Sequence, residues 1–271
     1  MTHMNRAVPE MAGAELERPL RRLRLLSYNI QVGIRSVRPH HYLTQSWRHV
    51  LPHPQRFATL NGIAEVLTGY DVVGLQEVDA GSRRTDFVNL TKYLAERAGF
   101  PFWHHQLNRD FGPIAKHCNG LLSRLRPSEV WEFKLPGAIP GRGALMARFG
   151  SARHPLVVML IHLALSRRAR LRQLDYVADV LNEYEHAVLM GDMNCEPDSP
   201  EMDLLFRRTR LVEPSAGLCT FPSWRPQRNI DHILVTGELE VASCQVLSHA
   251  YSDHLPIAME VALPEDVELP A

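Results

Sequence analysis

The chain has 271 residues, 45% of them hydrophobic and 22% charged, which is the composition of a globular protein with room for a substantial core. Its 30 basic and 30 acidic side chains cancel, so no global field draws it to nucleic acid or to an anionic membrane. The four cysteines form no C-x-x-C pair or disulfide framework, and no apolar run approaches the ~20 residues of a membrane span.

These features lead to the expectation of a cytoplasmic protein with reduced thiols and no stable membrane insertion. Residues 1–20 are polar, include Pro9 and Pro19, and lack the apolar stretch of a secretory signal; they read as a loose tail. No repeat or linker interrupts the remainder of the chain, so a single catalytic domain is expected over 21–264, with a carboxyl-terminal tail over 265–271. Lysine occurs only at 92, 116 and 134, leaving 27 of the 30 cationic side chains as arginine, whose planar fork suits phosphate oxygens.

In chain order, 24–30 reads as a short apolar strand closing on Asn29. Residues 33–53, with Pro39, Pro52 and four histidines but no period, read as a loop long enough to touch a substrate. Apolar residues at 57, 60, 63, 64 and 67 predict a helix over 55–67. Residues 71–78 form a buried strand that closes on Glu77. A second amphipathic helix is expected over 86–98, stopped by Gly99 and Pro101. Strand-like runs come next at 102–106, 120–123, 130–135, 144–149 and 156–162, most of them separated by Gly and Pro turns. A third helix spans 166–184, and its arginines 167, 168, 170 and 172 read as a solvated face. After it come a strand at 187–191, a short helix near 201–207 and strands near 230–235, 241–247 and 257–262. Helix-linked strands early and consecutive strands later suggest two sheets packed face to face with helices outside.

Polar residues collect where strands end: Asn29, Glu77, His162, Asp192 with Asn194, Asp231 with His232, and Asp253 with His254. Each has an ordinary explanation alone. Asn29 and Asp192 suit turns, His162 suits a hydrogen-bonded core position, and Asp231 has Arg225 and Arg228 nearby for pairing. As a set they would be expensive to bury without something to bind. The acids and amides are oxygen donors, with histidines beside them and no thiolate, a set that selects a hard cation, Mg²⁺ or Mn²⁺. Such a cation suits attack of water on phosphorus. A zinc site from His104, His105, His117 and Cys118 matches no standard spacing. There is no G-x-S-x-G, P-loop or G-x-G-x-x-G.

The segments Tyr28-Asn29-Ile30, Gln76-Glu77, Ile161-His162-Leu163, Gly191-Asp192-Met193-Asn194, Asn229-Ile230-Asp231-His232-Ile233 and Ser252-Asp253-His254-Leu255-Pro256 resemble, in order, the motifs of the DNase I-like endonuclease/exonuclease/phosphatase superfamily. The resemblance covers about residues 22–262. It implies an α/β fold, a four-layer αββα sandwich with the site at the top of its sheets. It also implies roles. Glu77, Asn29 and Asp253 would hold the metal. Asp192 would orient or deprotonate water, Asn194 would hold a phosphoryl oxygen, and His254 would contact phosphate or share base duty, oriented by Asp231. His162 would face the phosphoryl or leaving oxygen. Asn119, ahead of Leu121-Leu122-Ser123-Arg124, and Arg142 would contact substrate phosphate. Gln31 stands where some nucleases of the family carry another acid, which weakens an abasic-endonuclease reading. The expected activity is a metal-dependent phosphoesterase acting on a small or lipid-derived substrate. A nuclease is the alternative within the family, and a catalytically silent binding protein is the alternative outside it.

Overall fold

The computed structural model describes residues 5–7, 10–11, 22–34, 51–138, 140–214, 217–267 and 269. Most of the expected substrate loop, residues 35–50, and most of the amino-terminal tail lie outside the described residues.

Fourteen strands among the described residues make two seven-stranded mixed sheets. One sheet holds β3 (Arg22–Asn29), β4 (Val72–Asp79), β5 (Phe102–Asp110), β6 (Lys116–Ser123), β13 (Glu240–Val246) and β14 (Ile257–Ala262), with β2 (Glu10–Met11) on its edge. Its order is β13-β14-β3-β4-β6-β5-β2. The other holds β7 (Glu129–Lys134), β8 (Gly143–Phe149), β9 (Leu156–His162), β10 (His186–Asp192), β11 (Leu211–Val212) and β12 (Asp231–Thr236), with β1 (Asn5–Ala7) on its edge, in the order β1-β7-β8-β9-β10-β12-β11. Two short strands, β1 against β7 and β2 against β5, therefore fall in the stretch expected to be loose.

Each sheet has one parallel pair joined through a helix: β3 and β4 through α1 (Gln55–Leu67), and β9 and β10 through α3 (Arg167–Leu181). A helical crossover is the usual way to join parallel neighbours. α1 and α2 (Leu90–Ala98) cover the outer face of the first sheet, and α3 and α4 (Pro200–Arg208) cover that of the second. The central core lies between the sheets, where Leu23, Leu25, Val72, Leu160, Val188, Met190, Ile233 and Met259 interdigitate. The architecture is a four-layer α/β sandwich of DNase I-like type. Gly74 marks a close approach of the layers, because a Cβ there would sit 2.7 Å from Leu160 and 2.9 Å from Met190.

Side-chain alternation explains which residues face the space between the sheets. On β3, Leu23 and Leu25 point inward while Leu26 and Tyr28 point to the helices, so Asn29 continues the inward row. The same parity carries Leu156, Val158 and Leu160 to His162, and Val188 and Met190 to Asp192. It also puts Asp231 in line with Ile233 and Val235.

Three expectations need correction. α2 starts at Leu90 rather than at 86. Arg83–Thr85 form a 3-10 turn whose Ser82 cap is tied to Asp79, and Asn89 caps the helix by accepting a bond from the Lys92 N–H. The carboxyl-terminal segment is not all tail, since Val267 packs into the central core. Arg170 is not on a solvated face. It is largely buried and donates to Glu201 at 2.6 and 3.0 Å, tying α3 to α4.

Candidate active site

The C-terminal ends of both parallel pairs open on the same edge of the sandwich. β12 runs antiparallel to β10, so its first residue, Asp231, lies opposite Asp192, the last residue of β10. β14 runs antiparallel to β3, with Ile257 opposite Ser27, which brings the preceding Asp253 and His254 to the same edge. Not every site residue therefore ends a strand; antiparallel neighbours contribute their amino ends.

Glu77 reaches the cleft by a different route. Regular alternation would send the residue after Gln76 toward the helices. Between Leu75, opposite Gly120, and Val78, opposite Cys118, β4 has two residues where β6 has only Asn119. Glu77 absorbs this bulge with a left-handed φ of 55°, and the extra residue turns its carboxylate inward. The β4–α2 connection behind it is locked by buried Asp79, which accepts bonds from Arg84 at 2.6 Å, the Ser82 N–H at 2.7 Å and the Lys116 N–H at 3.1 Å.

Asp192 is the hub. One of its oxygens accepts from Asn29 Nδ2 at 3.1 Å and lies 3.4 Å from His162 Nε2 and 3.8 Å from His254 Nε2. Its other oxygen accepts the Asn194 N–H at 3.0 Å. Gly191 makes this placement possible: its φ is 144°, and a Cβ would fall 1.9 Å from the Ile161 carbonyl oxygen. Asn194 adopts a left-handed φ of 54° and donates from Nδ2 to the Leu163 carbonyl at 3.1 Å.

His254 is clamped on its far side, with Nδ1 2.7 Å from Asp231 Oδ2. The Thr220 hydroxyl donates to that same oxygen, while the buried Oδ1 of Asp231 has no hydrogen-bond partner. The Phe221 ring packs against the imidazole, centroids 4.8 Å apart. One ligand atom each from Asp192, Asp231 and His254 lies within 4.8 Å of the others. Asp253 accepts from the Ser252 hydroxyl at 3.0 Å.

The electrostatics follow from crowding charges out of water. Burial, reinforced by Asp231 and Glu77, pushes the Asp192 carboxyl up to about 7, against the opposing pull of His254 and Asn29. Burial opposes a charge on His254, but Asp231 and Asp192 outweigh it and raise the imidazole to about 10. Burial and the negative charge of Asp253 raise Glu77, while His254, Asn29 and Arg142 pull it down. His162 is driven well below its ordinary value by burial and by Arg142 and His254, so it stands neutral.

Beside these groups opens a cavity of about 500 Å³, lined by Glu77, Asn119, Arg142, His162, Arg109 and His117. Asn119 donates from Nδ2 to the Gly143 carbonyl at 3.2 Å, and its Oδ1 is buried without a partner. Ala164, Leu165 and Ala169 give the cavity one apolar wall. Of the ten residues given roles from the sequence, Glu77, Asn119, Arg142 and His162 line this cavity, and Asn29, Asp192, Asn194, Asp231, Asp253 and His254 form the polar cluster beside it. His232 does not join them. Strand alternation turns it away, to Glu213 at 2.8 Å and the Cys195 carbonyl at 2.9 Å.

Asp231 pairs with His254 rather than with the arginines near it in sequence; Arg228 bonds Glu196 instead. The alternative zinc set does not assemble. His104 pairs with Glu132 at 2.8 Å and lies opposite Leu121, whereas His117 lies opposite Arg109 further along the hairpin. Thr220 and Phe221 were not marked by the sequence because they sit in a segment with no periodicity, and Arg109 because it lies on the part of β5 beyond the expected run 102–106.

Over residues 26–254 the sequence matches the Endonuclease/Exonuclease/phosphatase family. The chain belongs to this family. No curated protein matches it. Among solved structures, the endonuclease/exonuclease/phosphatase from Beutenbergia cavernae DSM 12333 is 21% identical, with a TM-score of 0.68 over 90% of this chain and 72% of that one. The Bacteroides thetaiotaomicron VPI-5482 mannosyl-6-phosphatase Bt3783 is 17% identical, TM-score 0.67, over 89% of this chain and 100% of that one. The human Nocturnin catalytic domain, solved with bound sulfate, is 16% identical, TM-score 0.65, over 92% of this chain and 100% of that one. At these identities the likeness is one of fold. Members of the family hydrolyse phosphoesters and are generally divalent-metal-dependent, and this member keeps acidic and histidine groups together in its cleft. Among its described residues, no helix is long and apolar enough to cross a membrane.

Proposed function

We propose that the chain is a phosphoesterase, acting foremost on phosphodiesters, that works with Mg²⁺ or Mn²⁺ and attacks phosphorus with water. The observation that carries this reading is Asp192, held by Asn29 from one sheet and flanked by His162 and His254 in a closed polar cluster. Its carboxyl is raised toward neutrality, where a general base works best.

Glu77, Asn29 and Asp253 would hold the cation. The Glu77 carboxyl, raised by desolvation and by the neighbouring Asp253, is tolerable as an anion beside a divalent ion, and all three side chains offer oxygen. When bound, the ion supplies Lewis-acid charge to a phosphoryl oxygen. Asp192 orients the attacking water and takes its proton. His254, kept protonated by Asp231, stabilises charge on the phosphoryl group; base duty therefore falls to Asp192. Neutral His162 donates to a phosphoryl or leaving oxygen. Asn194 keeps one amide N–H for a phosphoryl oxygen after donating the other to Leu163. Asn119 and Arg142 contact substrate phosphate from the cavity wall.

Zero net charge and the apolar wall with Leu165 favour a small or lipid-derived substrate over a nucleic-acid duplex. The mannosyl-6-phosphatase relative is consistent with a small organic phosphoester. The test is a metal-supplemented screen of phosphomonoesters, lipid phosphodiesters, single-stranded DNA and abasic duplex, with EDTA as control. Turnover of a small or lipid phosphodiester, abolished by EDTA and nearly independent of salt, is the expected result. Preferred turnover of DNA, with affinity falling steeply as salt rises, would mark a nuclease instead. EDTA-resistant hydrolysis, or none of any substrate, would contradict the reading.

A further inference from the structure

The end of the second sheet remote from the cleft carries another group of metal-ligating side chains, which the proposed chemistry does not use. His154 lies in the turn between β8 and β9, Glu185 and His186 where α3 gives way to β10, and Asp266 beyond β14. β9 and β10 are parallel, with His186 opposite Leu156 at one end and Asp192 opposite His162 at the other. At a rise of ~3.3 Å per residue, that puts the group about 20 Å from the cleft.

Nδ1 of His154 is 3.3 Å from Asp266 Oδ2 and 3.6 Å from Glu185 Oε2. Nε2 of His186 is 3.4 Å from that same Asp266 oxygen. One donor atom from each of the four side chains lies within 4.8 Å of the others. Four ligands at ~2.0–2.2 Å from a tetrahedral ion stand roughly 3.3–3.6 Å apart, the spacing of these three pairs.

Hydrogen bonding alone leaves the group unsatisfied. Nδ1 of His154 is out of water and makes no hydrogen bond, although two carboxylates face it. His186 is 2% exposed and aims Nε2 into the group, where its one partner is the long 3.4 Å contact to Asp266 Oδ2. A desolvated ring nitrogen without a hydrogen-bond partner, as His154 Nδ1 is here, is expensive unless something binds it. Imidazole nitrogens with carboxylate oxygens suit zinc and its first-row neighbours, whereas Mg²⁺ keeps to oxygen and water.

We infer that His154, Glu185, His186 and Asp266 form a second cation site, for Zn²⁺ or a similar transition ion, separate from the cleft. Bound there, the ion clips the segment carrying Asp266 and the core residue Val267 to the start of β10. The site is structural and independent of the reaction.

The test uses the full chain, freed of metal by chelation and titrated with Zn²⁺ by calorimetry, with thermal unfolding alongside. His154→Ala/Asp266→Asn should take up one equivalent of Zn²⁺ fewer than wild type and lose the zinc-dependent rise in Tm. Its Mg²⁺-supported activity should stay within about threefold of wild type. Glu77→Gln should keep that equivalent. Both changed positions are partly exposed, and His154→Gln alone provides a milder variant should the double change impair folding. Co²⁺ loading gives a second readout, a visible d–d band in wild type that is missing from the His154 variants. Equal zinc stoichiometry in wild type and the His154 variants would overturn the inference. So would zinc uptake that disappears with Glu77→Gln.

Discussion

At the scale of single residues, the cleft depends on charges held where water does not screen them. His254 and His232 show how neighbours decide the state of a buried imidazole. Both are buried, and both meet acceptors rather than donors: Asp231 for His254, Glu213 and the Cys195 carbonyl for His232. Burial works against a charge on His232, but the Glu213 carboxylate outweighs it and raises the ring above its ordinary value. A raised folded-state pKa gives stability that is present in full below the unfolded value of about 6.5 and is lost as pH climbs through the folded one. Chemical denaturation from pH 6 upward should therefore show wild type losing stability on the alkaline side. Glu213→Gln should start lower by roughly 3 kcal/mol, the scale for breaking a buried pair, and show a flatter slope. Parallel slopes would mean that His232 is not the titrating group. His254→Gln, which keeps an amide in place of the ring, should reduce turnover by roughly 10²-fold in the folded fraction and also lower Tm, because Asp231 loses its buried cationic partner.

At the scale of elements, strand parity accounts for much of the cleft. The alternation on β3, β9, β10 and β12 aims Asn29, His162, Asp192 and Asp231 to one side, but both faces of β9 and β10 are apolar, so which side that is shows only in the fold. Most strands and helices likewise follow from periodicity; α1 spans 55–67 in sequence and structure alike. What parity does not reveal is Glu77, whose inward turn requires the bulge opposite Asn119, a property of the β4–β6 pairing rather than of β4. The late start of α2 has the same origin, because Asp79 gathers the turn by contacts that reach across to Lys116. Thr220 and Phe221 were illegible for a similar reason: their roles exist only once Asp231 and His254 meet. Gly191 is the element-level weak point. A methyl group there would collide with the Ile161 carbonyl of the neighbouring strand, and the backbone on both sides is committed to the parallel ladder. Gly191→Ala should cost on the order of 3 kcal/mol or more, read as a fall in Tm together with lost activity. A stable, active Gly191→Ala protein would contradict the tight β9–β10 approach.

At the scale of the whole molecule, two layered sheets each contribute half of the cleft. Asn29 and Glu77 come from one parallel pair, and His162 and Asp192 from the other. Neither half holds a complete site, so docking of the sheets is what creates it. The crowded carboxylates of Glu77, Asp253 and Asp192 oppose that docking until a cation is bound. A ligand that binds only the folded state stabilises by about 2.7 kcal/mol at one hundred times its Kd. Saturating Mg²⁺ should accordingly raise the Tm of wild type, and Glu77→Gln should erase that rise while melting higher than wild type in EDTA. Absence of any Mg²⁺-dependent shift in wild type would argue against a cation at Glu77.

The proposed chemistry rests on Asp192, positioned by both sheets, activating the water that attacks phosphorus. The most direct check is kcat with saturating Mg²⁺ for wild type and Asp192→Asn on the best phosphodiester found in the screen, with Tm measured on the same samples. A fall of roughly 10²-fold or more in kcat is expected for a lost general base, with folding retained. A folded Asp192→Asn enzyme turning over within about threefold of wild type would contradict it.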